Sequence, residues 1–298
     1  MNPSHSPRIT RRRPAAALAA SLLLTFLSAC ATHPAAVTPA TPDTSAPAET
    51  DATLTPVEAA KEAAIEAREQ AQYQVMLGEM AAGRHQPGLA ARAFYGALDY
   101  YKDPALASRT TSLALAANDA DLAEAAARRW LAIDPTAQDA REVLARLALR
   151  RGSVADTLVQ CQAIASGNAD GEGKGLLYVA RLLSQGTNSD GDTALRVMDK
   201  LVSQWPQLPD AQQAMGILAL RFGKPQLAEA AAHEAIRLDP GNPDHAFLLI
   251  GALVKQNRLD DADQQMVTLL NKNATKTAEL RMGYARLLLE SDQRDRAR

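Results

Sequence analysis

Residues 207–240 read QLPDAQQAMGILALRFGKPQLAEAAAHEAIRLDP. Small residues recur within this stretch, at Gly216, Ala228, Ala232 and Ala235. Such residues mark the places where two helices approach too closely for a larger side chain. Asp239-Pro240 ends the stretch, because proline stops a helix and pushes the preceding residue out of the helical region. The stretch therefore predicts one hairpin of two closely packed helices.

One small residue of this hairpin repeats along the whole chain, and we call its positions the alanine ladder. The ladder has steps of 33, 32, 39, 34, 34 and 35 residues, at Ala90, Ala123, Ala155, Ala194, Ala228, Ala262 and Ala297. A period of that size predicts a solenoid of two-helix units, in which each unit packs mainly on its neighbours. The composition agrees, because 47% apolar but only 4% aromatic residues favour many thin helical layers over one deep core.

The pattern inside the units resembles the tetratricopeptide repeat, a helix-turn-helix unit of about 34 residues. Residues 207–240 match that repeat best, and parts of the pattern recur in the first, second, fourth and sixth units. The resemblance implies an all-α, right-handed superhelix of about six repeats and an incomplete seventh. Thr55-Pro56-Val57-Glu58 has the form of a capping box with proline at the first helical position, which predicts that the folded part begins there.

The middle of the array departs from the pattern. A glycine-rich run, Gly171-Glu172-Gly173-Lys174-Gly175, precedes a unit whose two helices are joined by a longer loop, Gly186 to Thr193. Both additions fall where the ladder step reaches 39 residues. We expect a looser joint here, with about three units on each side. A plain loop insertion is equally compatible with the sequence.

The amino terminus has the features of an export signal. A basic stretch that includes Arg11-Arg12-Arg13 precedes an apolar run of about 13 residues, which is too short to span a bilayer. Leu27-Ser28-Ala29-Cys30 resembles the bacterial lipobox. The resemblance implies that Cys30 is the first mature residue and bears a diacylglycerol and an N-acyl chain, which suffice for stable membrane attachment. Since Ala31 follows rather than aspartate, it also implies the outer membrane of a Gram-negative bacterium, with the body facing the periplasm.

Alanine, threonine and proline dominate residues 31–55, which contain no aromatic residue. Such a composition cannot bury enough apolar surface to offset the entropy of ordering, so it predicts a disordered, semi-extended tether. The predicted organisation is a signal peptide at residues 1–29, an acylated linker at residues 30–55 and a solenoid at residues 56–298.

Sequence motifs for chemistry are weak. The run ending at Gly175 lacks the serine or threonine of a phosphate loop, and no strand precedes it. His233 and His245 are better interpreted as surface or groove-edge residues than as metal ligands, and Cys161 as a buried apolar side chain. Removal of residues 1–29, which hold four arginines and no acidic residue, takes the formal net charge from −2 to −6. These features predict no enzyme activity, no metal or other cofactor, and no nucleic-acid partner.

A binding surface remains as the functional candidate. In tetratricopeptide arrays the first helix of each unit lines a concave groove, and carrying its contact positions over gives nine candidates: Asp210, Gln213, Ile217, Leu220, Arg221, Asp244, Phe247, Val254 and Lys255. An apolar centre with charged edges suits an extended peptide or a helix. The alternative is that the apolar members only pack between units.

The resemblance implies a membrane-anchored scaffold or adaptor for protein complexes of the envelope. Family precedents include pilot lipoproteins that help to assemble type IV pilus secretins and adaptors that gather cell-wall hydrolases or proteases, and the sequence does not choose between them. The alternative is a regulatory or substrate-binding subunit of an envelope enzyme. Because Ala297 would open the second helix of a seventh unit, the apolar face at residues 284–289 lacks a partner helix. Either the array is a fragment of a longer one or this face is itself a docking surface.

Overall fold

The computed structural model describes residues 55–297, so the predicted signal sequence, Cys30 and most of the tether lie outside the described residues. The described part contains thirteen α-helices, two one-turn 3-10 helices and no strand. The α-helices are α1 (Pro56–Gly83), α2 (Pro87–Ala97), α3 (Pro104–Ala116), α4 (Ala120–Ile133), α5 (Gln138–Arg150), α6 (Val154–Ser166), α7 (Glu172–Ser184), α8 (Gly191–Gln204), α9 (Pro209–Arg221), α10 (Pro225–Leu238), α11 (Pro243–Lys255), α12 (Leu259–Lys272) and α13 (Thr277–Glu290). The 3-10 helices span Asn188–Asp190 and Ala274–Lys276.

Consecutive helices pack as hairpins in α1/α2, α3/α4, α5/α6, α9/α10 and α11/α12. The first helix of a hairpin also packs on the second helix of the preceding one, as α3 does on α2 and α11 does on α10. The prediction of an all-α, tetratricopeptide-like solenoid is therefore confirmed. None of the described helices is both long and apolar enough to cross a membrane.

A capping box starts α1. The Thr55 hydroxyl oxygen accepts a hydrogen bond from the Glu58 backbone N–H at 3.4 Å, and the Thr55 backbone N–H donates to the Glu58 carboxylate at 3.0 Å. The hydrogen bonds from Thr55 lower the pKa of Glu58. These bonds satisfy amide groups that would otherwise lack partners at the start of the helix.

The alanine ladder is buried at five of its seven positions, but one position was assigned wrongly. Ala90, Ala123, Ala194, Ala228 and Ala262 are 0% exposed. Ala155 is exposed, whereas Thr157 is fully buried and is the fourth residue of its helix, as each buried ladder alanine is of its own. The Thr157 hydroxyl donates to the Ser153 carbonyl oxygen at 2.7 Å, which satisfies its buried polar atom. The ladder residue of the third unit is therefore Thr157.

The predicted looser joint in the middle of the array is wrong. One continuous hydrophobic cluster extends from Ala145 in α5 to Ala231 in α10 and includes five residues of α7. α7 packs against α6 and α9 more than against α8, so the fourth unit is not a simple hairpin. The backbones of α6 and α7 are in contact at Gly175, where a β-carbon would lie 2.3 Å from the Ala165 carbonyl oxygen. The glycine-rich run therefore allows closer packing.

The predicted long loop in the fourth unit is also shorter than expected. The 3-10 helix at Asn188–Asp190 leads directly into α8 at Gly191. Asp190 is 7% exposed, and its carboxylate accepts hydrogen bonds from the Thr187 backbone N–H at 2.7 Å and from the Thr187 hydroxyl at 2.8 Å. Asp190 is thus a buried residue of the capping box that starts this 3-10 helix.

Candidate binding cleft

A cleft of about 270 Å³ opens between α9, α11 and α13, and we call it the α9–α13 cleft. Its lining is mainly apolar, with one amide and one carboxylate among eight residues: Gln213, Ile217, Leu220, Asp244, Phe247, Leu248, Gly251 and Leu287. The elements follow from the repeat, because first helices of successive units lie side by side and present the same face.

Five of the nine candidates from the sequence line this cleft: Gln213, Ile217, Leu220, Asp244 and Phe247. Asp210, Arg221 and Lys255 lie on the same two helices but do not line it. Val254 is only 3% exposed and belongs to the hydrophobic cluster of α11, α12 and α13. The placement of Val254 on the groove surface is therefore corrected, because its side chain packs inside the array.

Three lining residues were missed by the sequence analysis: Leu248, Gly251 and Leu287. Gly251 lies 34 residues after Ile217, one repeat later, and has no side chain of its own to offer a ligand. A β-carbon on Gly251 would lie 3.4 Å from Leu220 Cδ1 and 4.0 Å from Leu287 Cδ1, so these two leucines flank an open floor. The repeat period could have identified Gly251, whereas the position of Leu287 depends on how α13 packs.

The charges near the cleft are divided between the two ends of its helices. Asp210 and Asp244 are the second residues of α9 and α11, and Arg221 and Lys255 are the last residues of the same helices. Each charge therefore lies where the helix dipole stabilises it. The cleft thus has an acidic edge and a basic edge on either side of its apolar centre.

Arg221 is held by the neighbouring loop. Its guanidinium donates to the Ser184 carbonyl oxygen at 3.0 Å, to the Asn188 side-chain oxygen at 3.1 Å and to the Gly186 carbonyl oxygen at 3.2 Å. Lys255 makes one long contact, to the Ser291 hydroxyl at 3.3 Å. Lys255 is therefore the more available of the two cations for a partner.

A polar contact joins the first helices further toward the amino terminus. The Tyr178 hydroxyl in α7 donates to the Glu142 carboxylate in α5, and the Arg181 guanidinium lies 4.7 Å from the centre of the Tyr178 ring. The hydrogen bond to Glu142 raises the pKa of Tyr178. This pair was not predicted from the sequence, because α5 and α7 belong to different units.

A second cleft, of about 460 Å³, lies on the other side of α13, between α13, α12 and the turn at residues 294–297. The Tyr284 hydroxyl and the Arg296 guanidinium both donate to Asp263 here. Burial, and then the hydrogen bond to Asp263, raises the pKa of Tyr284. The apolar face predicted at residues 284–289 is thus divided, because Leu287 lines the α9–α13 cleft and Leu288 is buried.

Groups that could do chemistry are dispersed. Between residues 55 and 297, no cluster of three or more His, Cys, Asp or Glu side chains could hold a metal ion. His245 is fully buried against Asp239 and Asn242, so its expected surface or groove-edge position is wrong. His233 is exposed beside Glu229. Cys161 is fully buried, which raises the pKa of its thiol to about 12.

Comparison with known families gives one match, to the tetratricopeptide repeat, over residues 219–278. This segment runs from the end of α9 into the start of α13 and so includes the α11 wall of the cleft. No curated protein matches the chain.

Several solved structures match this chain at low sequence identity and low TM-score. A tetratricopeptide repeat protein from Parabacteroides merdae ATCC 43184 is 14% identical, with a TM-score of 0.38 over 77% of this chain and 90% of that one. PilF from Pseudomonas aeruginosa is 18% identical, with a TM-score of 0.33 over 65% of this chain and 86% of that one. The TPR2AB domain of yeast Sti1, in a complex with pHSP90, is 13% identical, with a TM-score of 0.32 over 74% of this chain and 98% of that one.

The likeness to the tetratricopeptide repeat therefore depends on the matched segment and on the helix pairing, rather than on these distant structures. Residues 219–278 match the tetratricopeptide repeat and lie within an all-helical, tetratricopeptide-like solenoid.

Proposed function

We propose that this protein is a non-enzymatic scaffold of the bacterial envelope that holds a peptide or protein segment in the α9–α13 cleft. The observation that supports this proposal is the cleft itself, where an apolar centre from three successive first helices lies between two charged edges. Tetratricopeptide arrays are typically interaction modules without catalytic activity, which agrees with this role.

The size of the cleft favours a peptide over a small molecule. Small-molecule sites generally enclose about 300–1,000 Å³. A cleft of about 270 Å³ and open to solvent suits one or two anchoring side chains of a longer segment. Ile217, Leu220 and Phe247 supply apolar contact area for such anchors, whereas Asp244 and Lys255 provide selectivity at the edges.

We further propose that the lipidated Cys30 anchors the protein at the outer membrane, with the solenoid facing the periplasm. The lipobox-like run Leu27-Ser28-Ala29-Cys30 and the tether composition support this part of the proposal. At about 3.1 Å per residue, residues 31–55 would allow the solenoid to work up to roughly 80 Å from the bilayer.

The cleft is tested by photocrosslinking in intact cells, with a photoreactive amino acid in place of Ile217. We expect the photoreactive amino acid at position 217 to crosslink to one partner protein. The substitution Phe247→Asp should abolish that crosslink. The matched control is a probe at Leu227 in α10, which is 42% exposed compared with 37% for Ile217 and lies outside the cleft. Equal capture from both positions would show that the cleft is not the binding surface.

The anchor is tested by Cys30→Ser. Without the thiol no diacylglycerol can be attached, so we expect the protein to move from the outer-membrane fraction to the soluble or inner-membrane fraction. Unchanged fractionation would remove the lipid anchor from the proposal and leave the cleft unaffected.

A further inference from the structure

The first helix of the array leaves an apolar face uncovered, and we call it the α1 end face. Tyr73, Met76 and Met80 are 58%, 64% and 52% exposed, and Ile65, which is 58% exposed, continues the same stripe about two turns earlier. At about 100° per residue, all four lie within one side of the helix. This side points away from Ala71, Gly78 and Ala81, which are buried in α1.

Equivalent positions in later units indicate what kind of surface the α1 end face is. Tyr73, Met76 and Met80 lie 17, 14 and 10 residues before the ladder residue Ala90. The same three places in α5, α9 and α11 are buried, and these helices pack against the preceding second helices α4, α8 and α10. The buried residues are Ala140, Val143 and Leu147, then Ala211, Ala214 and Leu218, then His245, Leu248 and Ala252.

The same places in α3 also contact the helix before it. Leu106 and Leu113 pack against the cluster that contains Phe94 in α2, and the Arg109 guanidinium lies 4.8 Å from the centre of the Phe94 ring. In the described part of the chain, the α1 end face is therefore an inter-unit surface that lacks the helix it is shaped to receive.

The charge pattern beside this face is one-sided. Glu62, Glu66 and Glu69 follow the stripe along the first half of α1, where residues 56–70 are exposed throughout. None of the three forms an ion pair with a described residue. Lys61 and Arg68 lie about 100° round the helix from Glu62 and Glu69, on the other side of Ile65.

This acidic stripe does not serve the stability of α1 itself. Glu62 and Glu66 are four residues apart, a spacing at which like charges destabilise a helix by about 0.2–0.5 kcal/mol and at which a Glu–Lys pair would stabilise it. The helix dipole favours negative charge only in the first turn of a helix, and the three glutamates lie beyond that turn. Their alignment beside an uncovered apolar stripe instead suits recognition of positive charge.

We propose that the α1 end face docks a basic amphipathic helix of another protein. Its apolar side covers Tyr73, Met76 and Met80, much as α4, α8 and α10 pack against the first helices of later units. Its lysines or arginines pair with Glu62, Glu66 and Glu69. A second copy of this chain fits less well, because a parallel pair of α1 helices would bring glutamates against glutamates, and an antiparallel pair would bring them against the Met76–Met80 end, so neither arrangement supplies positive charge. This surface is separate from the α9–α13 cleft.

The test uses the full chain with Cys30→Ser and two synthetic helical peptides, each with a leucine stripe. Lysines flank the stripe in the basic peptide, and glutamates replace them in the acidic one. By fluorescence anisotropy we expect the basic peptide to bind and the acidic one not to bind. M76Q/M80Q should weaken the basic peptide about tenfold, and E62K/E66K/E69K should reverse the preference between the peptides.

Matched controls separate this surface from others. Met282→Gln removes a methionine of α13 that is 73% exposed, and Ile217→Asp alters the cleft, so both variants should bind the basic peptide like the parent chain. The proposal is overturned if M76Q/M80Q binds unchanged or if both peptides bind alike. It is also overturned if sedimentation shows a dimer that M76Q/M80Q makes monomeric, because the face is then covered by a second copy. Failure here would leave the cleft proposal intact.

Discussion

The carbonyl oxygen of Ala165 in α6 lies 2.3 Å from the position that a β-carbon on Gly175 in α7 would occupy. Real β-carbons do not approach other atoms to less than about 3.0 Å, so α6 and α7 meet only because residue 175 has no side chain. We expect Gly175→Ala to force the two helices apart and to lower the free energy of unfolding by about 1–3 kcal/mol, as overpacked cores generally do. Urea denaturation measures this change.

Gly83 provides the control for that substitution. It is the last residue of α1, and a β-carbon there would meet no atom within 4 Å. Gly83→Ala should therefore stabilise the protein by up to about 1 kcal/mol through the helix preference of alanine. A similar loss of stability in both variants would show that the contact with Ala165 is not the cause.

The repeat was predictable from the sequence because it depends on a simple requirement for small residues at a fixed spacing. The close packing of α6 and α7 was not predictable, because a glycine-rich run can either make the backbone flexible or leave room for another backbone. Only the position of Ala165 decides between them at Gly175. The third ladder position was assigned wrongly for a related reason. The pattern required alanine, but a threonine whose hydroxyl bonds to Ser153 also fits there.

The corrected ladder predicts that substitution by leucine affects stability differently at two alanines. Ala194 is fully buried within the large hydrophobic cluster, whereas Ala155 is exposed. Ala194→Leu should lower the free energy of unfolding by about 1–3 kcal/mol through overpacking. Ala155→Leu should change it by no more than about 0.5 kcal/mol, as is usual at surface sites. Thermal and urea unfolding of both variants check the assignment, and a large loss with Ala155→Leu would restore it to the ladder.

Part of the α9–α13 cleft was predictable from the sequence, for the same reason as the fold. The repeat positions identified five lining residues of the cleft, because equivalent residues of successive first helices share one face. They misplaced Val254 and missed Leu287, because both depend on how closely α13 packs on α11. They also gave no indication that Arg221 is bound to the loop of the preceding unit.

Charge reversal should separate the structural role of Arg221 from the exposed charge of Lys255. Arg221→Glu removes three hydrogen bonds to the loop at residues 184–188, and we expect a loss of about 1 kcal/mol, since the side chain is exposed. Lys255→Glu removes one long contact and should change stability by less than about 0.5 kcal/mol. Differential scanning calorimetry compares the two. Equal melting temperatures would mean that the Arg221 bonds contribute nothing measurable.

Gly251 offers the clearest separation of binding from stability, because its substitution should move the two in opposite directions. It lies within α11 at the floor of the α9–α13 cleft, and a β-carbon there fits between Leu220 and Leu287 at ordinary contact distances. Gly251→Ala should therefore stabilise the helix by about 0.5–1 kcal/mol while filling part of the floor. We expect a higher melting temperature together with lower capture of the partner by the Ile217 probe. If capture is unchanged, the partner does not reach the floor and binds only across the edges of the cleft. If stability falls instead, Leu220 and Leu287 cannot accommodate the added methyl group, and the cleft is tighter than its geometry indicates.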